Sequence, residues 1–295
     1  MSKNIVVAEI GSFNKKMKKK FKISAATQSL WGHSLEETIA FIAECGFDGI
    51  EIIVLEPWLS LNFLLKQKKE ILSCLRGSGL EVVSFTTITS FTQAEAAPDS
   101  VSTVKKLTDL CADFGTSIVK ISPGPPASGK ASEEIWDALK SKMDEVVSYA
   151  GERGVKLAME THLNMLTDTI DGTRHFLDLF TSPAVGLTLD FCNVMVGKDD
   201  PEQAVREFAG RTFLCHVKDG ILHENGTPEW LPLGEGSLDY PGIVQSLSQS
   251  AYSGYLSLEC LVKDNRYNQN RLREMGGEKK ALKHDKDMLL RYLKK

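Results

Sequence analysis

"VGLTLDFCNVMVGKDDPEQAVREFAGRTFLCHVKDG", Val185 to Gly220, contains two short apolar runs, 185–193 and 212–219, with a helical-looking segment between them. Both runs read as strands, rich in Val, Leu, Phe and Thr. Each breaks its own pattern near its end, the first at Asp190 and the second at His216 and Lys218. Buried strands usually stay apolar until they turn, so polar residues here need a reason.

The same unit recurs along the chain. Strands are predicted at 21–27, 48–54, 80–88, 117–124, 155–162, 185–193, 212–219 and 255–262. The segments between them carry helical periodicity. In "SLEETIAFIAECGF", Leu35, Ile39, Ile42 and Ala43 share a face, Ser34 is placed to cap the start and Gly46 to end it. In "SEEIWDALKSKMDEVVSYAGERG", Ser132 plays the capping part and Gly151 or Gly154 the terminating one. Eight strand–helix alternations with near-continuous apolar strands predict an α/β fold, a closed (β/α)8 TIM barrel. An open doubly wound sheet is disfavoured because no GxGxxG follows the first strand. Residues 1–295 are expected to form one barrel domain, with an N-terminal extension at 1–20 and a loop and helix at 263–295.

Bulk properties agree. The 295 residues are 42% hydrophobic and 25% charged, as in globular chains with a sizeable core. A net charge of −4 gives no general attraction for nucleic acid. Six cysteines without CxxC spacing suit free thiols in a reducing cytoplasm. No apolar run reaches the roughly 18 residues of a membrane span, and the N-terminus does not read as a signal peptide. The six lysines from Lys15 to Lys22 read as a solvated loop.

Side chains alternate along a strand, so one polar residue fixes its neighbours' facing. Glu160 shares a face with Ala158 and His162, Asp190 with Thr188 and Cys192, His216 with Leu214 and Lys218, and Glu259 with Ser257 and Leu261. Met159, Leu189, Val217 and Leu258 take the opposite face, and all are apolar. The polar set therefore faces inward. Four successive strands deliver Glu160, Asp190, His216 and Glu259 to one axis at the carboxyl ends, where barrels of this type place their active sites. Three crowded carboxylates repel one another unless a cation sits among them. One divalent metal ion is the expected cofactor. This donor set suits Mn²⁺, Mg²⁺ or Co²⁺ best and admits Zn²⁺.

With "DGIEI", "METH", "LDFCN", "HVKD", "GEGSLDY" and "LSLE" in this order, the chain resembles the xylose isomerase-like TIM barrels, in their sugar phosphate isomerase/epimerase branch. The resemblance spans roughly residues 21 to 262. It implies that Glu160, Asp190, His216 and Glu259 are the metal ligands and that Glu160 and Glu259 are also the catalytic acid/base pair. The implied chemistry is isomerisation or epimerisation of a small sugar or α-hydroxyketone through a metal-stabilised enediolate. Three positions depart from the ketose 3-epimerase pattern: Asn193 where a histidine is usual, Leu166 for a glutamate and Leu222 for an arginine. A dehydratase of the inosose or dehydroshikimate type is the alternative, and a non-catalytic sugar- or metal-binding barrel a third. A trinuclear DNA-repair site is disfavoured, because strands three and four offer no histidine and the loop after strand seven has Glu229-Trp230-Leu231 in place of Asp-x-His.

Candidate substrate-binding residues are His162, Lys218, Glu51, Lys120, Asn193 and Trp31. Glu51 competes for a buried hydrogen-bonding role, and the two lysines for simple charge balance or, less favoured, Schiff-base chemistry. Trp31 and Trp58 follow strands one and two, where an aromatic face can stack on a sugar. Cys192 reads as a small filler. Arg266 and Arg271 read as surface residues, with an anion contact at the mouth as the other reading. The expected partner is a small sugar or polyol, with neither nucleic acid nor membrane, and a homo-oligomer is left open.

Overall fold

The computed structural model describes residues 21–260 and 269–294. The extension 1–20, with the lysines from Lys15 to Lys20, and Arg266 lie outside the described residues; Lys22, the last of the lysine run, opens the first strand and pairs with Glu81. Eight parallel strands close into a barrel: β1 (Lys22–Ala26), β2 (Gly49–Ile53), β3 (Glu81–Thr86), β4 (Ile118–Ile121), β5 (Lys156–Glu160), β6 (Val185–Asp190), β7 (Thr212–Val217) and, after a separate hairpin β8 (Asp219–Leu222) and β9 (Pro228–Leu231), β10 (Tyr255–Leu258). β10 pairs with both β7 and β1, which closes the ring. The expected (β/α)8 barrel is thus the fold.

Local signals set the elements. Ser34 and Glu37 form a reciprocal capping box before helix Leu35–Glu44: Glu37 N donates to Ser34 Oγ, and Ser34 N donates to the Glu37 carboxylate. A cap of this kind stabilises by about 1 kcal/mol. Gly46, at φ 72°, ends that helix in the left-handed conformation. Ser132 stands at the N-cap of helix Glu133–Glu152 without a side-chain capping bond, and Gly154 rather than Gly151 takes the positive φ.

The outward-facing strand residues make the main core. Met159, Leu189, Val217 and Leu258 are fully buried beneath the helices. The inward face is lined instead by small hydroxyl residues, Ser24, Ser84, Thr188 and Ser257, all completely buried. Ser24 pairs in register with Ser257, and Ser257 with His216, so the polar layer runs continuously toward the mouth.

The strands end earlier than their sequence suggests. β5 stops at Glu160 and β6 at Asp190, where the chain turns into helix Phe191–Val196 because Asp190 Oδ1 accepts the Asn193 N–H at 2.8 Å. Cys192 therefore lies in that helix, buried, and not on the strand. Beyond Lys218 the chain pairs with itself in the β8–β9 hairpin, where the sequence reads as a loop. Asp219 supports the turn back into the barrel by accepting backbone N–H groups from Gly220 (2.8 Å), Gly234 (2.9 Å) and Gly236 (3.2 Å). A Cβ at Gly236 would collide with the Asp219 carboxylate, so the second glycine of "GEG" serves close approach.

Candidate metal centre

Glu160 ends β5, Asp190 ends β6, His216 is the penultimate residue of β7 and Glu259 follows β10. The parallel register brings these four ends to one level: Asp190 pairs with His216, and His216 with Ser257 two residues before Glu259. One donor atom from each of the four lies within 4.8 Å of every other, and all four residues are buried.

Distances identify the convergent atoms. His216 Nδ1 lies 3.0 Å from Glu160 Oε1, 3.6 Å from Glu259 Oε2 and 3.7 Å from Asp190 Oδ2. On the other side of the ring, Nε2 lies 3.1 and 3.2 Å from the two oxygens of Glu51. Glu51 also accepts from Ser257 Oγ at 2.7 Å and from Thr86 Oγ1. A carboxylate that accepts the hydrogen bond of Nε2–H leaves the Nδ1 lone pair of a neutral ring for a cation, the arrangement that orients ligating histidines generally.

Two lysines complete the centre. Lys120 pairs with Glu160 Oε2, and Lys218 Nζ lies 2.7 Å from both Asp190 Oδ2 and Glu259 Oε2. Burial opposes every charge here, and the partners decide the outcome. Lys218 is held well above the ordinary lysine range by Asp190 and Glu259, and Lys120 is raised by Glu160 and Glu259. Glu160 is held well below the carboxylate range, chiefly by Lys120, and Asp190 is lowered by Lys218. Glu51 falls to about 2 against its burial, because of His216. His216 is held well above its usual value by Glu51 and Glu259.

The residues fit a divalent cation on two counts. Four buried carboxylates face two ammonium groups, which leaves two negative charges when His216 is neutral. A divalent ion cancels that excess. Asp190 Oδ2 is also a fully buried oxygen without a hydrogen bond of proper geometry, although Lys218 Nζ is close by. With the Lys218 ammonium beside it, this carboxylate oxygen still has lone-pair capacity for a further cationic partner.

The remaining candidates are placed as follows. His162 is half-buried beyond the end of β5, and its Nδ1–H donates to Leu163 O at 3.0 Å. Asn193 donates from its amide to Thr161 O at 3.0 Å and is buried. Trp31 stacks face to face on Trp58, with ring centroids 3.8 Å apart, beside a cavity of about 280 Å³ between the first two βα loops. Arg271 pairs with Glu235 and Glu274. Gln28 was not among the candidates, yet its amide donates to Glu259 Oε1. Strand alternation gives no signal for it, because β1 ends at Ala26 and Gln28 lies in the helical turn Thr27–Leu30. The hydroxyls of Thr86 and Ser257 were also missed, since alone neither differs from any strand hydroxyl.

Fold and centre together define a (β/α)8 barrel with a buried Glu–Asp–His–Glu cluster of metal-ligating type at its carboxyl mouth. The chain belongs to the xylose isomerase-like TIM barrel family, whose model matches residues 39–291. Among similar proteins is the 3-dehydroshikimate dehydratase of Pseudomonas putida, 25% identical over 250 residues. That match covers 80% of this chain and 37% of the relative, so the chain spans well under half that protein's length. The L-ribulose 3-epimerase of Methylomonas sp. is 25% identical over 231 residues, covering 76% and 77% of the two chains. Among solved structures, the probable 3-DHS dehydratase AsbF of Bacillus anthracis superposes with a TM-score of 0.72 at 21% identity, covering 89% of this chain and 98% of that one. The zinc-bound IOLI protein superposes with a TM-score of 0.77 at 17% identity, covering 92% and 98%. The two sequence relatives are enzymes, one a dehydratase and the other an epimerase.

Proposed function

We propose that this protein is a divalent-metal-dependent isomerase or epimerase of a small sugar or α-hydroxyketone, with Glu160, Asp190, His216 and Glu259 as ligands and Mn²⁺, Mg²⁺ or Co²⁺ as the preferred ion. The observation that carries the reading is the convergence of three carboxylate oxygens on His216 Nδ1 while Glu51 occupies Nε2. When bound, the cation supplies Lewis acidity toward a carbonyl oxygen and its neighbouring hydroxyl, which acidifies the C–H between them.

The chain's own residues do the rest. Glu160 and Glu259 approach from β5 and from the end of β10, on two sides of the centre. One takes the proton next to the carbonyl, and the other returns a proton to the enediolate. Lys120 and Lys218, each fixed on a carboxylate, are placed to donate to substrate oxygens and to keep those carboxylates ionised. The stacked indoles of Trp31 and Trp58 form an apolar wall at the rim of the mouth.

Dehydration is the second reading, favoured by His162. Its Nδ1–H is committed to Leu163 O, so Nε2 can take a proton and pass it to a departing hydroxyl. Asn193, Leu166 and Leu222 also lack the 3-epimerase contacts, and dehydratases stand among the relatives. Product analysis by NMR and mass spectrometry in D₂O separates the two. Deuterium incorporation with the substrate's composition retained supports isomerisation or epimerisation, and loss of one water supports elimination.

A further inference from the structure

Three consecutive residues of the turn Thr27–Leu30 each commit their side chain to a different partner at the barrel mouth. Thr27 Oγ1 accepts the Ile53 N–H at 3.0 Å, Gln28 Nε2 donates to Glu259 Oε1, and Ser29 Oγ accepts the Cys260 N–H at 3.1 Å. The outer two bonds fasten the turn to the ends of β2 and β10, so Gln28 cannot withdraw independently. Gln28 is only 8% exposed, and an amide in that setting holds its hydrogen bond without competition from water.

The consequence falls on Glu259, whose two oxygens are no longer equivalent. Oε2 turns to the centre, 3.6 Å from His216 Nδ1 and 2.7 Å from Lys218 Nζ. Oε1 turns to Gln28. We infer that Gln28 is a positioning residue that makes Glu259 a one-oxygen ligand through Oε2 and reserves Oε1 for the proton handled in the reaction. The second half rests on the proposed function, and the first does not. An amide suits this task in both protonation states. Nε2–H donates to the ionised Oε1, and after a half-turn of the carboxamide its oxygen accepts from the protonated acid.

The test is a Co²⁺ titration of chelator-treated protein, followed by visible absorption, on the wild type and on Gln28→Met, which keeps length and volume but removes the donor. The expected result is Co²⁺ affinity about 10- to 100-fold weaker. The visible bands should also weaken, because Glu259 is then free to bind through both oxygens and coordination number rises. Gln28→Asn, which keeps the amide and shortens its reach, gives the same direction should the methionine variant not fold. Unchanged affinity and spectrum overturn the inference, and so does a fall in melting temperature with both unchanged, which marks a purely structural role. In the same variants, kcat for proton exchange should fall while KM stays within a few-fold. A wild type that turns over no substrate defeats the proposed function but leaves the Co²⁺ result standing.

Discussion

His216 Nε2 faces both oxygens of Glu51, at 3.1 and 3.2 Å, in a pocket from which both side chains are fully withdrawn from water. This contact decides which imidazole nitrogen remains for the centre. Glu51 comes from β2, nearly opposite the four-strand arc that carries the proposed ligands, so the barrel's closure is what brings it to the ring. Ser257 and Thr86 hold the carboxylate in turn.

Glu51→Leu strips three buried donors of their acceptor: His216 Nε2–H, Thr86 and Ser257. Metal affinity, measured by competition with a chelator, should fall about 10- to 100-fold. Glu51→Gln keeps one acceptor oxygen and should lose less. Equal affinity in all three proteins would contradict the orienting role.

Metal binding should release a proton. Glu51 and Glu259 raise the pKa of metal-free His216 despite its burial, so the ring is charged near neutrality and must lose its Nδ1 proton to ligate. Affinity should therefore strengthen as pH rises, by up to about tenfold per unit. The stability of metal-free protein follows the same linkage. The raised His216 pKa contributes stability fully below the unfolded value of about 6.5, and it is lost as pH climbs through the folded value. Glu51 contributes fully above about 4.5 and loses its contribution as pH falls toward about 2. Melting curves across pH, with and without metal, check both limbs.

Glu160→Gln and Glu259→Gln should each reduce proton exchange next to the carbonyl by about 10²- to 10⁴-fold. Bound metal should persist at saturating concentration, because the other three ligands remain. Glu160→Gln additionally leaves buried Lys120 without its main counter-charge, and unpairing a buried charge costs roughly 3–5 kcal/mol. Its melting temperature should therefore fall more than that of Glu259→Gln, in which Lys218 keeps Asp190 as a partner. Turnover close to wild type in both variants would remove the acid/base assignment.

Asp219→Ala should destabilise without touching the ligands. It orphans the N–H of buried Gly220, where an unsatisfied donor costs about 1–3 kcal/mol, and those of Gly234 and Gly236, which water can reach. Urea unfolding is expected to show a loss of about 1–3 kcal/mol. A loss under about 1 kcal/mol would mean that water satisfies the loop as well as Asp219 does.

The barrel was legible because its signals are local and repeated. Eight apolar runs of similar length, separated by capped amphipathic segments, leave few other folds. The convergence of Glu160, Asp190, His216 and Glu259 was legible for the same reason: alternation along a strand assigns Glu160 and Met159 to opposite faces without knowledge of the rest. The strand ends were less so, since Asp190 stops β6 by capping the next helix, a role its identity alone does not announce. The β8–β9 hairpin escaped because "DGIL" and "PEWL" are only four residues each and the second opens on a proline. Gln28 escaped because its meaning lies 231 residues away, at Glu259. Only closure of the ring brings the two together.

The most direct test of the central claim is pulsed EPR on stoichiometric Mn²⁺ added to chelator-treated protein. The account predicts one Mn²⁺ per chain with a single directly bound imidazole nitrogen, and that nitrogen signal should vanish in His216→Gln. Absence of a bound nitrogen in the wild type, or its persistence in the variant, would contradict the assignment of Glu160, Asp190, His216 and Glu259 as the metal centre.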